Sequence, residues 1–323
     1  MKPTRRRLLR SAGAAVTVLS FTRSSSALDY PTRPLRFLVG YPAGITADII
    51  ARLIAQSLSE RLGQQVIVDN RPGAASNLAT ELVVRAAPDG YTLLVVTFAN
   101  AINATLYKEL SFDIRNDIVP VAGTFRSPLV VAVNLSFPAN TVPEFIAYAK
   151  ANPGKINYAS AGHGTVNNVA AELFKAMAGV DLVHVPYRGN YLPDLLGGQV
   201  QVAFAPMPSV IEHVLAGKLR ALAVTGATRS ETLPGIPTVG EFVPGYEATV
   251  WHGIGAPKNT APEIIDMLNV QINAALVDAT TKQRFAKLGG AAIGGSAADF
   301  GKLLAAETEK WGNVIRLANI KPE

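Results

Sequence analysis

The 323-residue chain contains no cysteine, and several other sources of chemistry are also missing. Without cysteine there is no disulfide framework, no thiol nucleophile and no cysteine-ligated iron–sulfur cluster. A Walker loop, a Gly-x-Gly-x-x-Gly turn and a Gly-x-Ser-x-Gly nucleophile elbow are absent. No two of the four histidines, His163, His184, His213 and His252, stand at metal-ligand spacing. We therefore expect no metal, no nucleotide and no other cofactor.

Acidic residues are absent from the first 27 positions, which hold six of the 30 basic residues. The other 24 basic residues balance the 24 acidic ones, so the net charge of +6 does not indicate a nucleic-acid partner. Residues 2–10 form a charged region, residues 11–21 are mostly apolar, and Ser25-Ser26-Ala27 is a small-residue cleavage site. We predict an export signal peptide over residues 1–27 that is cleaved near Ala27.

Long apolar runs are also lacking. The apolar stretch of the leader has about eleven residues, whereas a membrane-spanning helix takes roughly 20, which disfavours a membrane anchor. No later segment has 18 uninterrupted apolar residues. Residues 4–10 resemble a twin-arginine export signal, and the general export route remains the alternative. We expect the mature protein in the periplasm of a bacterium.

Strands and helices alternate through the rest of the chain. Residues 35–40 are apolar except for Arg36, as in a parallel strand with helices on both faces. A helix over 47–62 places Ile50, Ile54 and Leu58 on one face. Further strands are predicted at 66–69, 92–97, 119–123, 129–133, 156–159, 182–185, 200–205 and 219–225, and further helices at 77–85, 142–151, 167–177, 209–216, 262–276, 280–288 and 297–318. This order and length predict an α/β protein of two lobes, each a sheet flanked by helices.

Two strand-to-helix turns carry the functional signal. The first loop, residues 41–48, reads Tyr-Pro-Ala-Gly-Ile-Thr-Ala-Asp, and the second loop, residues 162–165, reads Gly-His-Gly-Thr. Each lies between a predicted strand and a predicted helix. A helix N-terminus offers unpaired N–H groups and the positive end of the helix dipole, and small residues leave those groups accessible. Two such turns in one chain indicate a clamp on an anion.

Several side chains near these loops have both a functional and a structural interpretation. Thr46 is the predicted N-cap of the first helix, with some reach toward a ligand. Asp48 either complements the helix dipole or orients a water or a loop amide. Arg71 either binds a carboxylate or forms a structural ion pair. The candidate ligand-binding residues are Gly44, Ile45, Thr46, Ala47, Asp48, Gly73, Ser160, Gly162, His163, Gly164, Thr165 and Tyr187.

The chain resembles the solute receptors of tripartite tricarboxylate transporters, also called Bug receptors. The resemblance covers essentially the whole chain after the leader, in the family's order. It is carried by residues 30–39 (YPTRPLRFLV), 44–55 (GITADIIARLIA), 68–74 (VDNRPGA), 87–94 (APDGYTLL), 152–160 (NPGKINYAS), 183–189 (VHVPYRG), 195–200 (LLGGQV), 217–225 (GKLRALAVT) and 233–239 (LPGIPTV).

The resemblance implies a periplasmic binding protein of type II, the Venus-flytrap class, without catalytic activity. It also implies a small organic carboxylate as ligand, held by the backbone of residues 44–48 and 162–165 and by bridging waters. Membrane permease subunits would be its partners, and we expect a monomer. We predict that lobe 1 comprises residues 28–127 and 249–323 and that lobe 2 comprises residues 128–248. The hinge is then expected near residues 126–128 and 249–251.

One departure from the family and two alternatives remain open. Family members usually have a second glycine where Ile45 stands, and a β-branched residue disfavours positive φ. Ile45 is therefore expected to narrow the cleft or change the choice of ligand, unless it points into the core. The alternatives to a transport receptor are an exported hydrolase with a serine nucleophile and a receptor used only in signalling. The identity of the carboxylate is not determined by the sequence.

Overall fold

Alternating strands and helices build the part of the chain that the computed structural model describes, residues 30–187 and 190–322. All of its elements lie in one compact unit that begins at Pro31. The predicted signal peptide over residues 1–27 and its twin-arginine segment lie outside the described residues.

The strands and helices of the described residues have the following bounds. The strands are β1 (Leu35–Val39), β2 (Val66–Asn70), β3 (Thr92–Thr97), β4 (Ile118–Asn134), β5 (Asn157–Ser160), β6 (Val183–Pro186), β7 (Val202–Pro206), β8 (Leu219–Val224), β9 (Thr249–Pro257) and β10 (Ala291–Ala292). The helices are α1 (Thr46–Leu62), α2 (Asn77–Val84), α3 (Phe98–Leu106), α4 (Ile114–Asp117), α5 (Val142–Ala151), α6 (Val166–Ala178), α7 (Leu192–Gly197), α8 (Met207–Leu215), α9 (Pro262–Leu276), α10 (Ala279–Lys287) and α11 (Ala297–Leu317). Short 3-10 helices cover Ala74–Ser76 and Val239–Glu241.

The strands pair in the order β2-β1-β3-β9-β4-β7-β5-β6, with β8 and β10 also paired to β4. Strands β1, β2 and β3 are parallel, as are β5, β6 and β7, whereas β4 and β9 run antiparallel to their neighbours. The carboxyl ends of β1 and β5 lead into the first and second loops. Open α/β sheets bind ligands at such ends.

Strand β4 is longer than predicted and takes part in two pairing regions. Its first part pairs with β9 as far as Pro128 opposite Thr249, and its second part, from Leu129 onward, pairs with β7 and β8. We predicted two separate strands, at 119–123 and 129–133, and that prediction was wrong. Pro128 stands within the strand where the partners of β4 change, a position that proline tolerates.

Helix α11 packs closely on the central strands. A Cβ atom on Gly253 would lie 2.1 Å from Cζ of Phe300, so the bare backbone of β9 makes room for that buried ring. Both tryptophans of the chain are buried here, and the indole N–H groups of Trp251 and Trp311 donate to Oε2 of Glu307 at 3.1 and 2.7 Å. Lys310 pairs with the same carboxylate. This network ties α11 to β9.

Within the described residues, no helix has both the length and the hydrophobicity needed to cross a membrane.

Candidate ligand-binding site

A cavity of about 330 Å³ brings the two predicted loops together. Of the twelve candidate residues, Ile45, Thr46 and Ala47 of the first loop and His163, Gly164 and Thr165 of the second loop line it. The remaining wall comes mainly from β3, α3, β4 and β9. The structure therefore places two segments that are more than a hundred positions apart in sequence at one cavity.

The first helix presents its N-terminus to this cavity without a side-chain cap. Ile45, rather than the predicted Thr46, occupies the N-cap position, with extended backbone angles of φ −87° and ψ 169°. Isoleucine has no acceptor atom, and no described side chain caps this end. The N–H groups of the first turn have no partner within a helix. They are therefore available to an anion in the cavity.

A buried carboxylate holds the first loop in shape. Asp48 is 2% exposed and accepts hydrogen bonds from the backbone N–H of Gly44 at 2.9 Å, from Arg52 at 3.0 Å and from Asn70 at 2.9 Å. Burial alone would raise the pKa of Asp48, but these hydrogen bonds outweigh it and lower the pKa below its usual value. Gly44 adopts φ +88°, a conformation suited to glycine. Asp48 and Gly44 do not line the cavity, so they support the loop.

The second loop is organised by its own side chains. Ser160, fully buried at the end of β5, accepts from the N–H of Gly162 at 3.0 Å, and Thr165 donates to the carbonyl oxygen of Gly162 at 2.7 Å. Helix α6 begins after Thr165, and no side chain in the described part of the chain caps it. Val166 of its first turn also lines the cavity. A second uncapped helix N-terminus therefore faces the same space.

Gly164 of the second loop lies against Leu106 of α3. Its φ is +70°, and a Cβ atom there would lie 2.3 Å from Cδ2 of Leu106 in α3. Any larger residue would both strain the backbone and displace Leu106. Glycine is thus required for this loop to approach α3.

Three strands supply one row of side chains on the sheet side of the cavity. Thr97 of β3 and Phe125 of β4 lie directly opposite His252 of β9 on its two sides, and all three line the cavity. His252 is 4% exposed, and its Nδ1 has no hydrogen-bond partner among residues 30–187 and 190–322. Burial lowers the pKa of His252 to about 4, so its imidazole is neutral near pH 7.

Two tyrosines and a strained segment complete the wall. Burial raises the pKa of Tyr41, and its hydrogen bond with Thr97 offsets only part of that rise. Tyr107 lines the cavity nearby. Ala75 also lines it and lies in a run of three non-glycine residues, 74–76, with φ between 45° and 77°. Such left-handed residues cost of order 1–3 kcal/mol each and cluster at functional sites.

The other predicted residues lie outside the cavity wall. Gly73 is exposed, and it is Ala75, two positions later, that lines the cavity. Tyr187 donates to Asp194 at 2.6 Å, and burial together with this carboxylate raises its pKa to about 12. Arg71 forms an ion pair with Asp69 at 2.9 Å. Ser160 and Gly162 do not line the cavity, and they stabilise the second loop through the hydrogen bonds given above.

Sequence reasoning missed the contributions of β3, α3 and β9 to this wall. Thr97 is the last residue of the parallel strand β3 and Phe98 the first of α3, and Thr97 forms a capping box with Asn100. The end of a parallel strand was a signal that could nominate this segment from the sequence. His252 carried no comparable signal, because strand β9 was not predicted. Among the described residues, no group of three or more metal-ligating side chains is present.

Comparison with known proteins identifies the family. The model of the tripartite tricarboxylate transporter family receptor matches residues 50–320. The chain belongs to this receptor family. The receptor is 34% identical over 320 residues to protein BugT of Bordetella pertussis, an alignment that covers 98% of each chain. The predicted resemblance is thereby confirmed, and the family is one of solute-binding receptors rather than of enzymes.

Solved structures confirm the α/β periplasmic-binding-protein fold of the receptor. R. palustris Rpa4515 with adipate has a TM-score of 0.79 and 36% identity and covers 91% of this chain and 100% of its own. MatC from Rhodopseudomonas palustris with bound malate has a TM-score of 0.75 and 28% identity and covers 88% of this chain and 100% of its own.

Proposed function

We propose that the receptor captures a small organic carboxylate outside the cytoplasmic membrane and presents it to the membrane subunits of a tripartite transporter. The observation that carries this proposal is the pair of uncapped helix N-termini, of α1 and α6, at one cavity. Their free N–H groups and dipoles favour a negatively charged group between them. Adipate and malate, bound by the two structural relatives, are both carboxylates.

Capture by closure of two lobes is part of the proposal. Lobe 1 would comprise residues 28–127 and 249–323, and lobe 2 residues 128–248. The two chain crossings between them would lie side by side, because Arg126 pairs with Trp251 and Pro128 with Thr249. The first loop would belong to lobe 1 and the second loop to lobe 2.

Export to the periplasm, cleavage near Ala27 and a monomeric state complete the proposed biology. The support for export is the charged, apolar and small-residue pattern of the first 27 residues. The support for the membrane partner is membership of the transporter receptor family.

A thermal-shift screen against benzoate, hexanoate, adipate, malate and citrate tests the ligand class, with benzamide and hexanamide as uncharged controls. A bound ligand raises the apparent unfolding temperature. We expect at least one carboxylate to stabilise the protein and its amide to have no effect. Equal shifts for acid and amide would remove the basis of the proposal.

Proline substitution tests the role of the backbone. Thr46→Pro removes one first-turn N–H group, and the extended backbone of Ile45 is compatible with a following proline. Losing a hydrogen bond to a charged group costs about 1.5–3 kcal/mol, which corresponds to roughly a tenfold to hundredfold weaker affinity. Thr46→Ala controls for the side chain. Ala279→Pro, at the first position of α10 and outside the cavity, controls for proline itself.

A serine hydrolase is the second candidate, because Oγ of Ser160 lies 2.6 Å from Nε2 of His184. The full burial of Ser160 and its position outside the cavity wall disfavour a nucleophilic role. Incubation with methyl benzoate, benzamide and benzoate, followed by mass spectrometry, should return all three unchanged. Product formed by the wild type and lost in Ser160→Ala would favour the hydrolase instead.

A further inference from the structure

The cavity wall carries no formal charge beyond what its histidines could acquire. Among the described residues no Lys, Arg, Asp or Glu lines it, and its titratable side chains are Tyr41, Tyr107, His163 and His252. The side of the cavity formed by α3, β4 and β9 is mainly apolar, with Phe98, Leu106 and Phe125 among its residues. One end of a ligand therefore meets free N–H groups and the rest meets hydrocarbon.

This wall discriminates against a second carboxylate. An ionised group moved into apolar surroundings without a partner pays a large desolvation cost. The two helix N-termini compensate one carboxylate, but the apolar side offers no cation for another. An apolar ligand body, by contrast, gains about 25 cal/mol for each Å² removed from water.

Two other polar side chains on this side, Asn103 and Ser127, already donate hydrogen bonds within the protein. His252 is different. It is almost fully buried, lines the cavity, and has an Nδ1 atom without a partner in the described structure. A neutral imidazole has one donor and one acceptor nitrogen. It can therefore bind an uncharged hydroxyl or carbonyl group of a ligand, whereas it cannot neutralise a carboxylate.

We propose that the receptor selects monocarboxylates with an apolar body, such as an aromatic ring, and that His252 hydrogen-bonds an uncharged polar substituent on that body. The proposal rests on the proposed function, since it assigns a substrate class to the same cavity. It separates this receptor from relatives that bind adipate or malate, each of which has two carboxylates.

Isothermal titration calorimetry with matched acids tests the charge selection. Hexanoate and adipate share a six-carbon chain, and benzoate and terephthalate share a ring, so each pair differs by one carboxylate. The titrations are run at pH 8, at which an imidazole of ordinary pKa is neutral. We expect each monocarboxylate to bind at least about tenfold more tightly than its dicarboxylate partner, because the second charge is uncompensated. Equal or tighter binding of adipate or terephthalate would overturn the proposal.

The substitution His252→Phe tests the polar contact. The wild type should bind 4-hydroxybenzoate more tightly than benzoate, and His252→Phe should make the two affinities equal. His213→Asn, on α8 and outside the cavity wall, is the matched control and should keep the wild-type ratio. Thermal unfolding without ligand verifies that each variant is folded. An unchanged ratio in His252→Phe would overturn the assignment of His252.

The outcomes also separate this proposal from the proposed function. If dicarboxylates bind and monocarboxylates do not, the receptor function stands and the substrate class is overturned. If no acid in either pair binds, while neutral analogues such as benzyl alcohol do, both proposals are overturned.

Discussion

At the scale of single residues, Ile45 is the position at which the chain departs from its family, and it lies in the wall of the cavity. Its side chain is 42% exposed and lines the cavity, and its φ of −87° is ordinary for a β-branched residue. The positive φ that glycine favours falls on Gly44 instead. The exposure argues against the alternative that Ile45 points into the core.

We expect Ile45→Gly to change the ranking of carboxylates with only a small loss of stability. A glycine here raises the entropy of the unfolded chain, at a cost of about 0.4–1 kcal/mol. Ile45→Ala removes the same bulk without that backbone effect and is the matched variant. Thermal unfolding and a carboxylate panel provide the two measurements. A loss of 2–5 kcal/mol, which is usual for core truncations, with an unaltered ranking would contradict this expectation.

His252 makes stability depend on pH in a defined window. Its folded-state pKa of about 4 lies below the ordinary value of 6.5, so the unfolded chain binds the proton more readily between those values. The stability from keeping this imidazole neutral is complete above pH 6.5 and is lost as the pH falls toward 4. We expect a loss of about 3 kcal/mol across this window, measured by urea unfolding.

His252→Phe removes the titrating group and should flatten the stability profile between pH 6.5 and 4. His213→Asn should leave the profile of the wild type in place. A profile in His252→Phe that falls as steeply as in the wild type would assign the dependence to other groups.

At the scale of elements, Glu307 links α11 to β9 through two buried indole N–H groups. We expect Glu307→Ala to destabilise the fold by about 3–5 kcal/mol, because it removes the partner of Lys310 and leaves both indoles unsatisfied. Glu307→Gln keeps an acceptor oxygen and should cost less than half as much. Urea unfolding followed by tryptophan fluorescence measures both. Equal costs for the two variants would show that charge, rather than hydrogen bonding, is the stabilising contribution.

The elements that sequence predicted well are those whose signals are local. Helices α5 and α9 have the predicted bounds, 142–151 and 262–276, because a proline in the first turn marks each start. The sequence also predicts a capping box at Thr141 and at Thr260, with a glutamate three positions after each threonine. The capping interaction was correct for Thr141, whose hydroxyl accepts from the N–H of Glu144. It was wrong for Thr260, which donates to the carbonyl oxygen of Pro257 while Ala261 occupies the N-cap position.

Strand β9 could not be recognised locally, because long-range packing determines its composition. Gly253 and Gly255 lower the strand propensity of the segment. They are required because Cβ atoms there would lie 2.1 Å from Phe300 and 2.4 Å from Ile118, which are distant in sequence. The candidate site divides in the same way: the two loops were nominated from local pattern, whereas His252 depended on the missed strand.

At the scale of the whole molecule, the two adjacent chain crossings in β4 and β9 would form the hinge if the two proposed lobes close on a ligand. We expect the tightest-binding acid of the panel to reduce the radius of gyration measured by small-angle X-ray scattering. Gly164→Ala should block this compaction, because its Cβ would lie 2.3 Å from Leu106. Gly179→Ala, at a glycine of similar φ with open space around it, is the matched control. Compaction in Gly164→Ala equal to that of the wild type would contradict closure at this contact.

The uncapped start of α1 has a consequence for how such receptors diversify. Main-chain N–H groups survive every side-chain replacement except proline, so point mutation rarely removes the anchor for an acid group. The row formed by Thr97, Phe125 and His252 consists of side chains, and each can be exchanged. A duplicated gene can therefore acquire a new cargo through a few substitutions on the sheet while its product retains its hold on the acid.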